Sequence, residues 1–115
     1  MKILLDENMP RKLRYRFGRD HEVVTVQELG WAAKSNGELL RLMLENGNDD
    51  FVSGDRKMLH EQNWVEYPIP VLLLKVRKNR YEAYRDLMPQ ILALLTAGAA
   101  PGPHVIAAPI AETGA

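Results

Sequence analysis

The stretch Ile3–Pro10, ILLDENMP, decides how the chain is read. An apolar strand, Lys2–Leu5, runs straight into Asp6 and Glu7, and a helix is predicted to start at once. Asn8 offers an N-cap and Pro10 falls in the first turn, where its missing N–H costs nothing. A strand that is continuously apolar is covered on both faces, as in a parallel sheet. Its carboxyl end is where α/β folds build their sites. A second strand end, FVSGDR at Phe51–Arg56, puts Asp55 in the equivalent position.

Outward from these two strand ends, apolar runs and helical patterns alternate, which predicts βαβ units and a mainly parallel sheet of four to five strands. Helix one is expected to reach Phe17 and stop at Gly18, and the β-branched run Glu22–Val26 reads as the second strand. The segment SNGELLRLMLENG (35–47) carries a helix. Ser35 and Glu38 have capping-box spacing, Leu39, Leu40, Met43 and Leu44 form its apolar stripe, and Gly47 ends it. Asp50–Ser53 is the third strand, and Arg56–Asn63 a short helix. Pro70–Val76 gives the strongest strand signal. The last helix spans Tyr81–Leu95, with a kink or break near Leu87–Met88 set by Pro89. His104–Ala107 reads as an edge strand, and the rest of the Ala/Gly/Pro-rich tail as loose.

Composition narrows the classes. The 115 residues suit one domain. Fifteen basic residues balance fifteen acidic ones, so no global field favours nucleic acid, and any contact with it needs a local patch. With no cysteine, disulfides, thiolate metal sites and a cysteine nucleophile are excluded. There is no signal-peptide pattern, and the longest apolar run, Val71–Leu74, is too short for a membrane span. A cytoplasmic protein is the expectation.

Because parallel strands place their carboxyl ends on one edge, Asp6, Glu7, Glu38 and Asp55 are expected together there. Two bare charges ~4 Å apart at an effective dielectric near 20 repel by about 4 kcal/mol. A hard cation such as Mg²⁺ or Mn²⁺ removes that cost and can activate water against a phosphodiester. Simpler roles compete for these acids. Glu38 is also a capping-box residue, Asp55 could cap the following helix, and Glu7 suits a helix dipole. Asp6 ends an apolar strand with no helical reason to be there. The run KVRKNR, with Lys75, Arg77, Lys78 and Arg80, reaches the same edge and could track phosphates, as could Arg56 beside Asp55. Its plain reading is a solvated loop. His21, His60 and His104 show no ligand spacing, Trp31 and Trp64 read as packing residues, and no Gly-rich phosphate loop or nucleophile elbow is present.

At ILLDENMP, at the GELL helix start and at FVSGDR, the chain resembles the PIN-like domains of small bacterial toxin-type proteins. The likeness continues through VQELGW and DRKMLHEQN to the PVLLL strand, roughly Met1–Leu95. It implies a three-layer α/β/α, Rossmann-like domain over residues 1–96, followed by an Ala/Gly/Pro-rich segment over 97–115. It also implies an Mg²⁺- or Mn²⁺-dependent endoribonuclease, the toxin of a toxin–antitoxin pair, with RNA as substrate, an antitoxin as partner and a homodimer as assembly. Asp6, Glu38 and Asp55 match the family's metal-holding acids, and Ser53 its small hydroxyl residue. Lys57 stands where relatives often carry a further acid. It would either hold a phosphate with Arg56 and the Lys75–Arg80 loop, or mark a degenerate module that binds protein. Asp50, at a position usually apolar, has no explanation in the sequence. A phosphoacceptor receiver domain is a third reading, but no Ser or Thr follows the fourth strand where that chemistry needs one.

Overall fold

The computed structural model describes residues 1–108, so the expected loose tail over residues 109–115 lies outside the described residues. Five strands, β1 (Lys2–Leu5), β2 (Glu22–Thr25), β3 (Asp50–Ser53), β4 (Pro70–Lys75) and β5 (Gly102–Ala107), form one parallel sheet in the order β2-β1-β3-β4-β5. The molecule is thus an α/β fold with an all-parallel sheet.

Alternate residues of the strands feed two cores, one on each face. Ile3, Leu5, Val52, Leu72, Leu74 and Ile106 pack against Leu13 and Phe17 and, from the last helices, Tyr84, Leu87, Ile91 and Leu95. Leu4, Phe51, Val71 and Leu73 pack against Leu39, Leu40 and Met43 of α1 (Asn36–Asn46) and Met58 of α2 (Met58–Glu61). Trp31 and Trp64 pack against this second core, as expected. No helix among the described residues is long and apolar enough to cross a membrane.

Several expectations are corrected. The first helix is a 3₁₀ turn over Arg11–Arg16, and no side chain caps it. Asn8 does not serve as its cap, because its Oδ1 accepts instead from the Gly54 N–H at 3.4 Å. Leu44 lies at the rim of the α1 stripe and is largely exposed. The helix after β3 keeps only Met58–Glu61. The last helix is split, as Pro89 implied, into α3 (Tyr81–Arg85) and α4 (Met88–Ala97). The proline lies in the first turn of α4, where a missing N–H is harmless.

One crossover departs from the uniform hand expected of such connections. Between β3 and β4 the chain moves across the sheet over the α1 face. Between β4 and β5 it moves in the same direction, yet α3 and α4 cover the opposite face. That crossover therefore has the opposite hand to the other three. Its consequence is coverage: α3 and α4 bury Leu72, Leu74 and Ile106 on a face whose other cover is the 3₁₀ turn.

Candidate functional site

The strand order positions the site. From β1 the chain departs to β2 on one side, and it returns to β3 on the other. The loops after β1 and β3 therefore diverge, and a crevice opens between adjacent strand ends. Asp6 and Asp55 follow those two ends.

Asp6 is 6% exposed and Ser53 fully buried. The Ser53 hydroxyl donates to Asp6 Oδ2 at 2.6 Å and accepts from the Asp55 N–H at 3.0 Å, so one hydroxyl ties the two acids together. The Glu7 N–H donates to Asp6 Oδ1 at 2.8 Å. Burial pushes the Asp6 carboxyl above its ordinary pKa against the pull of these donors, and the charges of Glu7 and Asp55 add to the rise. Asp55 accepts from Asn36 Nδ2 at 3.1 Å and from the Lys57 N–H at 3.1 Å. Asn36 opens α1 and brings that helix to the site.

Glu38 is held elsewhere. The capping box with Ser35 is complete: the Glu38 N–H donates to Ser35 Oγ at 3.2 Å and the Ser35 N–H to Glu38 Oε1 at 3.5 Å, and the Ser35 hydroxyl adds a bond to Glu38 Oε1 at 3.1 Å. Hydrogen bonds from Ser35 hold its carboxyl below the ordinary value. Among the described residues, no three Asp, Glu or His side chains are grouped so as to hold a metal ion as they stand.

Beside the acids runs an open groove of about 290 Å³, lined by Asn8, Gly54, Arg56, Leu74, Val76, Arg77, Asn79 and Tyr84. At Gly54 the groove wall is close: a Cβ there would lie 2.9 Å from Met9 Cε, the movable end of a flexible side chain, and 3.4 Å from the Tyr84 hydroxyl. The Tyr84 hydroxyl donates to Asn79 Oδ1 at 2.6 Å, which fixes both at the groove wall. Of the basic residues singled out by sequence, Arg56 and Arg77 line the groove, whereas Lys57, Lys75, Lys78 and Arg80 do not.

No family model, curated protein or solved structure matches the chain. The site is therefore read from its own chemistry. Its donor set is oxygen only, two carboxylates with carboxamides nearby, and this suits a hard divalent cation that also takes water and phosphate. Sequence reasoning missed Asn36, Asn79 and Tyr84. Asn36 carried a weak signal, since it opens a capped helix whose start lies on the acidic edge. Asn79 and Tyr84 carried none, because their position depends on how α3 docks.

Proposed function

We propose that the chain is a PIN-like, metal-dependent endoribonuclease. The observation that supports this most is the buried Asp6–Ser53 bond, extended by the Ser53 hydroxyl to the half-buried Asp55 N–H at the neighbouring strand end, beside a groove lined by two arginines. Asp6 and Asp55 are the residues that would hold Mg²⁺ or Mn²⁺. When bound, the ion supplies charge for the phosphodiester and an activated water. The chain's own residues do the rest. Ser53 and the Glu7 N–H orient Asp6, Asn36 and the Lys57 N–H orient Asp55, and Arg56 and Arg77 take backbone phosphates. The toxin role and the antitoxin partner rest on the family resemblance alone, and a cytoplasmic location on composition.

A second reading is a PIN-like module that has lost catalysis and binds protein. Glu38, engaged in its cap, and Lys57, in place of an acid, favour it. The strand order is also that of receiver domains. However, β4 ends at Lys75 and β5 at Ala107, where a receiver needs a hydroxyl and a lysine.

Thermal unfolding against Mn²⁺ and Mg²⁺, with Asp6→Asn alongside, separates the readings. An ion that binds only the folded state adds about 2.7 kcal/mol at a hundredfold excess over its dissociation constant. The expected result is a rise in the wild-type midpoint of several degrees that Asp6→Asn abolishes, followed by metal-dependent cleavage of RNA. No rise at millimolar metal refutes the nuclease reading and leaves the protein-binding module. The metal-free Asp6→Asn protein is expected to be more stable than wild type, since it loses a buried charge.

A further inference from the structure

We propose that the outer edge of β5 is a homodimer seam, at which two copies join their sheets through antiparallel β5–β5 pairing about a twofold axis at Val105. This proposal is independent of the catalytic reading.

The two sheet edges differ. Along β2, the outward Val23 C=O accepts from the Arg14 guanidinium at 3.1 Å. The outward Thr25 N–H donates to Glu28 Oε1 at 3.0 Å, and an Arg14–Glu28 ion pair at 2.8 Å locks the cover in place. Side chains thus occupy the Val23 C=O and the Thr25 N–H and obstruct further pairing along that edge.

Among the described residues, nothing comparable covers β5. The Gly102 N–H donates to Ile69 O at 3.0 Å, which fixes the alternation: Gly102, His104 and Ile106 bond towards β4, while Pro103, Val105 and Ala107 face outward. The Ala107 C=O is taken by Gln90 Nε2 at 3.1 Å. Pro103 has no N–H. What remains unbonded among the described residues is the Pro103 C=O, the Val105 N–H and C=O, and the Ala107 N–H. These are two donors and two acceptors.

A twofold axis at Val105 matches them without remainder. Each Val105 N–H meets the Val105 C=O of the second copy, and each Ala107 N–H meets the Pro103 C=O. The Ala107 C=O would face Pro103, which has nothing to donate, and Gln90 already satisfies it. The edge is therefore complementary in partial charge to itself, position by position. Val105 is 49% exposed, and a β-branched pair across the axis suits antiparallel strands. The strand GPHVIA and the neighbouring helix MPQILALLTA contain no Asp, Glu, Lys or Arg, so no like charges oppose the approach. The same axis puts both copies of α4 on one side of the joined sheet.

The test is the oligomeric state of the whole chain, by sedimentation equilibrium from micromolar to millimolar concentration. Val105→Pro deletes an outward N–H without touching the ladder to β4, and Val105→Lys sets like charges at the axis. The expected result is a wild-type dimer and two folded monomers, with circular dichroism unchanged. Amide exchange of the wild type gives a readout that needs no variant. Protection at Val105 and Ala107 should rise with concentration, which decides the matter even if a variant fails to fold. A wild type that stays monomeric into the millimolar range overturns the proposal, and so does a dimer that survives both substitutions. Protection at Val105 that is equal at all concentrations also overturns it, because the chain's own residues would then cover the edge.

Discussion

Replacing Asp50 by Asn should stabilise the protein at neutral pH and leave it unchanged in acid. Asp50 opens β3 at the end of the sheet away from the candidate site, is 1% exposed, and has an Oδ2 with no hydrogen-bond partner. Burial, then the charge of Asp49, raise its pKa from 3.8 to about 6 against the opposing pull of the amino terminus and His104. At about 1.36 kcal/mol for each pH unit, keeping this carboxyl ionised in the folded state costs about 3 kcal/mol. The unfolded carboxyl loses its proton near pH 4 and the folded one near pH 6. The cost is therefore absent below about pH 4, grows between these values, and is complete above about pH 6. Urea unfolding of wild type and Asp50→Asn, followed by the fluorescence of Trp31 and Trp64, measures the difference at each pH. Stabilisation by Asp50→Asn of about 3 kcal/mol at pH 8 that vanishes by pH 4 is expected. A variant less stable than wild type at pH 8, or a difference that does not change with pH, refutes the reasoning.

Other consequences follow for the site. Ser53→Ala removes a buried charge-assisted hydrogen bond and the acceptor for the Asp55 N–H. It should cost about 2 kcal/mol in urea unfolding and push the Asp6 pKa further up, read from its carboxyl carbon shift by NMR. Glu38→Gln keeps the capping geometry and should retain the metal-dependent rise in midpoint that Asp6→Asn loses. Loss of the rise in both variants would return Glu38 to the metal site. In single-stranded RNA binding, the double substitution Arg56→Ala with Arg77→Ala should flatten the slope of log Kd against log salt by about 1.4, since each phosphate contact contributes about 0.7. Lys78→Ala should change the slope by far less.

β1, β3 and β4 were readable because each is a short apolar run ended by a polar signal, and β1 and β3 carry the acids that mark their carboxyl ends, whereas β5 starts two residues before the run His104–Ala107 that marked it. The capping box and the left-handed Gly47 that closes α1 are local chemistry, and both lie where the spacing put them. What sequence could not supply depends on tertiary choices. Whether Asn8 caps its own helix or accepts from Gly54 is decided by a strand some forty residues away. Glu38 has the right residue type and the right edge, but a local hydroxyl engages it first. The pairing of Tyr84 with Asn79 depends on the face that α3 occupies, and the periodicity of α3 is equally compatible with either face.

That choice of face shapes the route by which the chain folds. A β–α–β unit of the usual hand follows from local twist, since a right-twisted strand feeding a right-handed helix packs back only that way. The β4–β5 connection has the other hand and gains nothing from that bias. We therefore expect β5 and α4 to dock late, on a platform made by β1, β3 and β4, so that their amides are the last to gain protection in pulsed hydrogen exchange during refolding. In that interval the PVLLLK strand is an uncovered apolar edge. Misassembly between nascent chains would begin there.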